Sequence, residues 1–299
     1  MCKRLVWHKS TIGRRAYLKT LGAAGATAAV AGCVGGDSGD GGDDADGGDD
    51  GGGDSTDSGD GGDDSTDSSD EVETITPGTA PGFAPFEFRN DDNELVGFDV
   101  DLATAVIEAA GYEAASPENW VTIEFDTLIP SLRRGDMDLV AAAMTITEER
   151  DEQIDFSESY YEANQAVLVR EDDIDPSEFA DLEGRRVGAQ SGTTGESTAE
   201  SELVEPGLID GSQYNSYGNY VLAINDLENG NIDAVVIDTP VANNFADDRS
   251  VQVAFVFETG EEFGFGMQEG DDRISDINEG LAEVRDNGTY DELVSEYFQ

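Results

Sequence analysis

A unit that occurs twice in this chain, a helix followed by Gly-x-x-Asp and then an apolar strand, most constrains its fold. The copies span residues 128–143 and 220–237, and in each a glycine ends the helix and an aspartate precedes the strand. Glycine is the residue that most often terminates a helix, and short apolar runs are typical of buried parallel strands. The pattern predicts an α/β fold.

Polar side chains follow both strands of this repeat. The first strand, at residues 139–143, is followed by Thr145, and the second, at 234–237, is followed by Asp238. In open α/β sheets, ligands bind at the carboxyl ends of the strands. Two such units predict a two-lobed protein with a ligand in the cleft between the lobes.

Arg150 follows the first strand closely and is the first candidate ligand-binding group. Its planar guanidinium can hold a carboxylate with two parallel hydrogen bonds, which lysine cannot do. Alternatively, the guanidinium pairs with a neighbouring acid at the surface. The candidates for that pairing are Glu148, Asp151 and Asp155.

Other segments complete the α/β pattern. Residues 99–110 have the apolar spacing of a helix, which Asp99 or Asp101 could cap. Residues 184–189 predict another short strand. The glycine- and hydroxyl-rich loop at 191–195 offers amide donors to a ligand or is an ordinary turn.

The charge of the chain limits its environment and its partners. The formal net charge is −51, and every basic residue after position 36 is an arginine. Such a surface repels itself unless salt screens it, so we expect a high-salt environment. Nucleic acid is excluded as a partner, because its phosphates require many basic contacts.

Few residues for nucleophilic or metal chemistry remain after the first 33 positions. His8 is the only histidine, and Cys33 is the last cysteine. We therefore expect no Ser-His or Cys-His nucleophile, no metal and no cofactor in the folded part. A pair of carboxylates acting as acid and base stays open.

The N-terminal 33 residues have the features of an export signal. Arg14-Arg15 resembles a twin-arginine motif, and the apolar stretch at 21–31 is shorter than the roughly 20 residues that span a bilayer. Residues 30–33 resemble a lipobox, which predicts lipid attachment to Cys33; alternatively, Cys33 simply lies in an apolar run. Residues 34–73, rich in Asp, Gly and Ser, predict a disordered linker.

A series of short motifs, in this order, resembles the substrate-binding proteins of polar-amino-acid ABC importers, solute-binding protein family 3. The motifs are Pro85-Phe86-Glu87-Phe88, Gly97-Phe98-Asp99-Val100-Asp101-Leu102, Leu128-Ile129-Pro130, Thr145-Ile146-Thr147 with Arg150, Asp155-Phe156-Ser157, Asp238-Thr239-Pro240 and Asn287-Gly288-Thr289-Tyr290. The resemblance covers nearly all of the folded part. Together with the predicted export signal and the strongly negative charge, these motifs make the chain resemble a haloarchaeal lipoprotein.

The resemblance implies a type II periplasmic-binding-protein clamp, in which each lobe is a small sheet flanked by helices. Lobe 1 would comprise residues 74–163 and 259–299, and lobe 2 residues 164–258. Two crossover hinges would lie near 161–165 and 257–262.

The resemblance also implies the roles of particular residues. Arg150 would bind the α-carboxylate of the ligand with help from Thr145 and the backbone of Ala143, and Asp238 would bind the α-ammonium. The aromatic side chains flanking the ligand would be Phe83 and Phe125, which could otherwise be core residues. The lobe 2 wall would consist of Gln190, Thr193 and Thr194. Asp238 could instead cap the turn before Pro240.

Departures from the family pattern bear on which amino acid is bound. Ala80 and Gln190 stand where glutamine-binding members have Asp and Lys, and Ile237 replaces a His found in some relatives. The side-chain pocket therefore lacks those charged groups, which disfavours glutamine. A polar neutral and a basic amino acid both remain open.

The implied function is extracytoplasmic binding of a free amino acid and its delivery to the permease subunits of an ABC importer. The protein would be a monomer, anchored to the outer face of the cell membrane through lipid on Cys33. The alternatives are an enzyme on the same clamp, such as a dehydratase of a cyclic amino-acid precursor, or a ligand sensor.

Overall fold

The computed structural model of the protein describes residues 72–171 and 173–299. The predicted signal, the predicted lipid-attachment site Cys33 and nearly all of the predicted linker lie outside the described residues. Among the helices of residues 72–171 and 173–299, none has the length and apolar character needed to cross a membrane.

The described chain alternates short strands and helices. The strands are β1 Thr74–Ile75, β2 Pro77–Thr79, β3 Phe88–Arg89, β4 Leu95–Val96, β5 Glu113–Ala114, β6 Val121–Thr122, β7 Leu139–Val140, β8 Ile154–Phe156, β9 Tyr161–Arg170, β10 Val187–Gln190, β11 Tyr214–Tyr217, β12 Ala234–Asp238, β13 Val251–Phe263 and β14 Gly266–Gln268. The α-helices are α1 Phe98–Ala109, α2 Leu128–Arg134, α3 Glu148–Asp151, α4 Thr194–Ala199, α5 Tyr220–Glu228, α6 Thr239–Asp248, α7 Ile274–Asp286 and α8 Thr289–Phe298.

Two five-stranded sheets with the same internal pattern form the two lobes. Lobe 1 holds the sheet β6-β2-β7-β14-β8, and lobe 2 holds the sheet β11-β10-β12-β9-β13. In each, three neighbouring strands are parallel and the other two pair antiparallel. The predicted two-lobed α/β fold is confirmed.

The helix ends of the repeated unit follow the prediction. Helix α2 ends at Gly135 with φ 79°, and α5 is followed by Gly230 with φ 74°. Both angles lie in the left-handed region, which glycine adopts without the steric penalty of a Cβ atom.

The aspartates of the repeated unit each fix a neighbouring strand. Asp138 Oδ2 accepts a hydrogen bond from the backbone N–H of Thr76 at 2.9 Å, and Asp233 Oδ2 accepts one from that of Arg186 at 2.9 Å. Each carboxylate therefore holds the parallel strand next to its own, which aligns the strand ends that face the cleft.

The predicted strand at 139–143 is too long. The ladder ends at Val140, because the chain turns away from the sheet and Ala143 adopts φ 44°, a left-handed conformation rare for alanine. Two other boundaries shift slightly: the strand predicted at 184–189 is Val187–Gln190, and the strand predicted at 234–237 extends to Asp238.

Helix α1 begins without the predicted aspartate cap. The residue preceding it is Gly97, and no side chain accepts a hydrogen bond from its first turn. Asp99 lies instead in the buried interior. Its carboxylate accepts a hydrogen bond from the backbone N–H of Ala143, a residue of the site described below.

The strands β9 and β13 pair along the segments predicted to be hinges. Gln165 pairs with Phe257 and Ala163 with Glu261, and an irregularity between Phe257 and Glu261 includes Gly260 at φ 62°. The two segments thus lie side by side. Bending at this place stays a prediction.

The C-terminal helices pack on the N-terminal part of the fold. Helices α7 and α8 contact α1, and Tyr112 OH donates a hydrogen bond to Asp276 at 2.6 Å. The Phe98 ring is fully buried and lies 5.1 Å from that of Phe298 between centroids. Burying such a ring contributes about 1.5–3 kcal/mol. This packing agrees with the predicted return of the chain to lobe 1, whose exact boundaries stay a prediction.

Candidate ligand-binding site

A small cavity lies between the two lobes, at the carboxyl ends of β7, β10 and β12. Its lining comprises Ala80, Phe83, Glu87, Phe125, Ala142, Ala143, Thr145, Arg150, Gln190, Thr193, Thr194 and Asp238. The structure brings together all nine residues that the sequence predicted for the ligand site. It adds Ala80, which the family resemblance had placed in the side-chain pocket, and two residues that the prediction missed, Glu87 and Ala142.

Arg150 lies in the short helix α3, which Thr147 caps by accepting a hydrogen bond from the Arg150 backbone N–H at 3.2 Å. Its guanidinium donates to Thr145 O at 2.7 Å and to Gly192 O of lobe 2 at 2.9 Å. It also lies over the Phe125 ring, 5.3 Å from the centroid. These contacts hold the guanidinium in the cleft.

None of the ion pairs among the described residues includes Arg150. The alternative of surface pairing with Glu148, Asp151 or Asp155 is therefore wrong. Burial lowers the pKa of Arg150, and the nearby carboxylates of Asp238 and Glu261 act in the opposite direction. A partly buried guanidinium without a carboxylate partner is suited to an anionic ligand group.

Asp238 ends β12 and lies at the other side of the cavity. It precedes α6, but its side chain makes no capping hydrogen bond; Oδ1 accepts instead from Gln165 Nε2 at 3.1 Å. The alternative that Asp238 merely caps the turn before Pro240 is therefore wrong. Burial, and then the Glu261 carboxylate, raise the pKa of Asp238, while Arg150 and Gln165 lower it. A cationic ligand group would stabilise its charged form.

The loop after β7 is held by a buried carboxylate that the sequence reasoning assigned to a helix cap. Asp99 Oδ2 accepts hydrogen bonds from the backbone N–H of Ala143 and from Tyr160 OH, both at 2.6 Å. Burial raises the pKa of Asp99 to about 6, and the two hydrogen bonds oppose that shift. Asp99 thus fixes the strained backbone of Ala143 against the cavity.

Thr145 connects the two lobes through its hydroxyl. Its Oγ1 donates to Glu261 Oε2 at 2.8 Å and accepts from Thr194 Oγ1 at 2.9 Å. Glu261 Oε1 accepts from Gln165 Nε2 at 2.8 Å, and Gln165 also binds Asp238. No pattern in the sequence indicates this network, because it depends on long-range pairing of β9 with β13.

The lobe 2 wall of the cavity follows β10. Thr193 Oγ1 donates to Gln190 O at 2.7 Å, lies 3.1 Å from Tyr220 OH, and caps α4 by accepting from the Glu196 N–H. Residues 191 and 192 form a turn, and the loop then leads into helix α4, which begins at Thr194. Gly192, in this loop, has φ 73°.

The two predicted aromatic residues both line the cavity. Phe83 is buried and packs on Phe86 and Tyr220, with ring centroids at 5.9 and 5.5 Å. Phe125 lies beneath the Arg150 guanidinium. Their contact with a ligand stays a prediction.

The cavity is nearly closed. Its volume is about 10 Å³, enough for roughly one water molecule. An open groove of about 560 Å³ adjoins it, shares Ala80 and Gln190 with it, and carries the exposed Glu124 at its rim. The groove is lined by Arg89 and Glu124, which are exposed, whereas the cavity holds the more buried Arg150 and Asp238, so we place the ligand's α-carboxylate and α-ammonium in the cavity. Within residues 72–171 and 173–299, no cluster of three or more His, Cys, Asp or Glu could hold a metal ion.

Two similar α/β lobes around such a cavity are the architecture of the periplasmic amino-acid-binding proteins. The family of bacterial extracellular solute-binding proteins, family 3, matches residues 75–299, and the chain belongs to this family.

The chain is similar to individual members of known description. It is 35% identical over 228 residues to a probable histidine-binding protein of Campylobacter jejuni, covering 75% of this chain and 84% of the relative. A solved ancestral arginine-binding protein bound to arginine is 33% identical, with a TM-score of 0.70 over 76% of this chain and 98% of that structure. An ancestral amino acid-binding protein described as a precursor of cyclohexadienyl dehydratase is also 33% identical, with a TM-score of 0.68 over 76% of this chain and 96% of that structure.

Proposed function

We propose that the protein binds a free amino acid outside the cytoplasm and delivers it to the permease subunits of an ABC importer. One observation carries this proposal: the guanidinium of Arg150 and the carboxylate of Asp238 line one cavity, and neither belongs to an ion pair among the described residues. Burying a zwitterion requires a partner for each charge, and these two side chains supply both.

Arg150 binds the α-carboxylate and Asp238 the α-ammonium. Thr145, Thr194 and the backbone of Ala143 add hydrogen-bonding groups around them, while Phe83 and Phe125 cover the apolar faces. The small cavity volume supports entry of the ligand only when the lobes separate, with bending where β9 and β13 pair. Contacts made to both lobes at once then favour closure.

The bound amino acid is of the basic class. Two observations support this: the relatives described as histidine- and arginine-binding, and the presence of Glu124 in the groove that adjoins the cavity. Glu124 lies against Gly218 of lobe 2, where an added Cβ atom would be 2.9 Å from its Oε1. A cationic side chain that leaves the cavity through the groove would therefore meet the Glu124 carboxylate beside Gly218, while Arg89 also lines the groove.

Titration calorimetry in molar salt with L-arginine, L-histidine, L-lysine and L-glutamine tests this proposal. We expect the basic amino acids to bind more tightly than L-glutamine, without turnover. If none of the four bound, the proposed function would be wrong.

An enzyme is the second candidate, because one similar structure is described as the precursor of a dehydratase. The only histidine of the chain is His8, so such chemistry would need another acid or base, for which the cavity offers the carboxyl groups of Glu87 and Asp238. Chemical change of a bound compound on prolonged incubation would favour this candidate, and its recovery unchanged would favour the importer.

Lipid on Cys33 anchors the protein to the outer face of the membrane, after twin-arginine export from a cell that lives in high salt. The apolar stretch before Cys33 and the net charge of −51 support this part of the proposal. Cys33→Ser should release the protein into the medium. Continued membrane retention of the variant would contradict lipidation.

A further inference from the structure

Glu87 is a buried carboxyl group in the cavity that the site described above does not use. It lines the same cavity as Asp238, and only 1% of its surface is exposed. Its Oε2 atom has no hydrogen-bond partner among the described residues. Leaving a buried polar atom without a partner costs about 1–3 kcal/mol, and more for a charged group, so such an atom calls for an explanation.

The backbone directs Glu87 toward the cavity. Glu87 and Phe83 form an antiparallel bridge, in which Phe83 N–H donates to Glu87 O at 2.9 Å and Glu87 N–H donates to Phe83 O at 3.3 Å. Residues opposite each other in such a pair project their side chains to the same face. Phe83 lines the cavity, so the Glu87 side chain shares that face with a residue of the ligand site.

Glu87 and Asp238 line the same cavity, and the carboxylate of Asp238 is near enough to act on Glu87. Burial raises the pKa of Glu87 well above its usual value, and the carboxylates of Asp99 and Asp238 raise it further. None of the ion pairs among the described residues includes Glu87. No ion pair therefore compensates this carboxyl group, which lines the cavity where the ligand's α-ammonium is expected.

An α-ammonium carries three N–H donors, and one carboxylate oxygen of Asp238 is already occupied by Gln165. We propose that Glu87 is a third charged ligand-binding residue, which accepts a hydrogen bond from the ligand's α-ammonium beside Asp238. This inference rests on the proposed function. Glu87 then selects for a free α-amino group, so that α-hydroxy acids and N-acylated amino acids are rejected.

The test compares ligands that differ only in the α-amino group. L-Arginine is paired with 5-guanidinopentanoic acid, L-histidine with 3-(imidazol-4-yl)propanoic acid and L-glutamine with glutaramic acid. Affinities of the wild type, Glu87→Gln and the matched surface control Glu108→Gln are measured by calorimetry, with displacement titrations for the weak ligands. Glu108 is exposed on α1.

We expect Glu87→Gln to weaken the tightest-binding amino acid at least tenfold and its desamino partner less than twofold, with Glu108→Gln changing neither. Equal weakening of both partners, or no weakening of either, would overturn the inference and leave the proposed function intact. Failure of the wild type to bind any of L-arginine, L-histidine, L-lysine and L-glutamine would overturn the proposed function itself. If thermal unfolding shows that Glu87→Gln is unfolded, Glu87→Met, of similar length and without a carboxyl group, replaces it in the same comparison.

Discussion

Thr194 of lobe 2 donates a hydrogen bond to Thr145 of lobe 1, with 2.9 Å between their hydroxyl oxygens. Thr145 donates its own proton to Glu261 Oε2 at 2.8 Å, so the two hydroxyls and the carboxylate form a directed chain. These hydrogen bonds join the two lobes next to Arg150. Because they exist only when the lobes meet, they stabilise the closed form relative to the open one.

Replacing Thr194 by Val removes this interlobe hydrogen bond at nearly constant shape. A typical hydrogen bond contributes about 0.5–1.5 kcal/mol, so we expect roughly 2- to 12-fold weaker binding of L-arginine by calorimetry. Ser197→Ala on the same helix α4 is the control, because Ser197 does not line the cavity. Unchanged affinity in Thr194→Val would show that the contact does not contribute to closure.

Asp99 gives the protein a pH-dependent stability. Its pKa is about 6 in the folded protein and about 3.9 in an unfolded chain, so the folded state binds more protons between these values. The contribution of Asp99 to the free energy of unfolding therefore falls as the pH rises from about 4 to about 6. Above pH 6, the folded protein bears the full cost of burying the charged carboxylate of Asp99.

Asp99→Asn removes this titration. Relative to the wild type, the free energy of unfolding of the variant should increase by up to about 3 kcal/mol between pH 4 and pH 7. Urea denaturation at constant salt measures the difference, with the exposed Glu108→Gln as control. A difference that is independent of pH would contradict the assigned role of Asp99.

Ala143 adopts φ 44° in the loop that lines the cavity. Glycine reaches this region without a Cβ clash, so Ala143→Gly should increase the free energy of unfolding by about 1 kcal/mol, after its larger unfolded-state entropy is subtracted. Ala143→Val should instead destabilise the fold by more than that, because it is β-branched. Urea denaturation of both variants that gave the opposite order would contradict the strained geometry.

Replacing Glu124 tests whether the ligand is a basic amino acid. It is exposed at the groove rim, where a single ion pair contributes about 0.2–1 kcal/mol and salt screens it. Glu124→Gln should weaken L-arginine about 1.5- to 5-fold by calorimetry at low salt, and less at high salt, while L-glutamine is unaffected. Equal effects on both ligands would remove Glu124 from the discrimination between basic and neutral side chains.

The sequence predicted those parts of the fold that depend on local pattern. Gly135 and Gly230 mark helix ends by their freedom to adopt positive φ, and both do so. Arg150 and Asp238 could be predicted to meet because each follows a strand whose carboxyl end faces the cleft. Such rules need only neighbouring residues and a general property of α/β sheets.

Features that depend on distant partners could not be predicted. Asp99 has the sequence context of a helix cap, yet its partner Ala143 is 44 positions away. Glu87 and Glu261 stand among many other acids, and only the fold distinguishes them as buried. The early end of β7 could not be predicted either, because alanine rather than glycine adopts the left-handed conformation at residue 143.

The central claim is that Arg150 and Asp238 bind the two ends of a free amino acid. Calorimetry of L-arginine with wild type, Arg150→Ala and Asp238→Ala, each folded by circular dichroism, tests it most directly. Removing one partner of a buried charge pair typically costs about 2–5 kcal/mol, so each variant should bind at least roughly 30-fold more weakly than a wild type that binds tightly. Wild-type affinity in both folded variants would contradict the account.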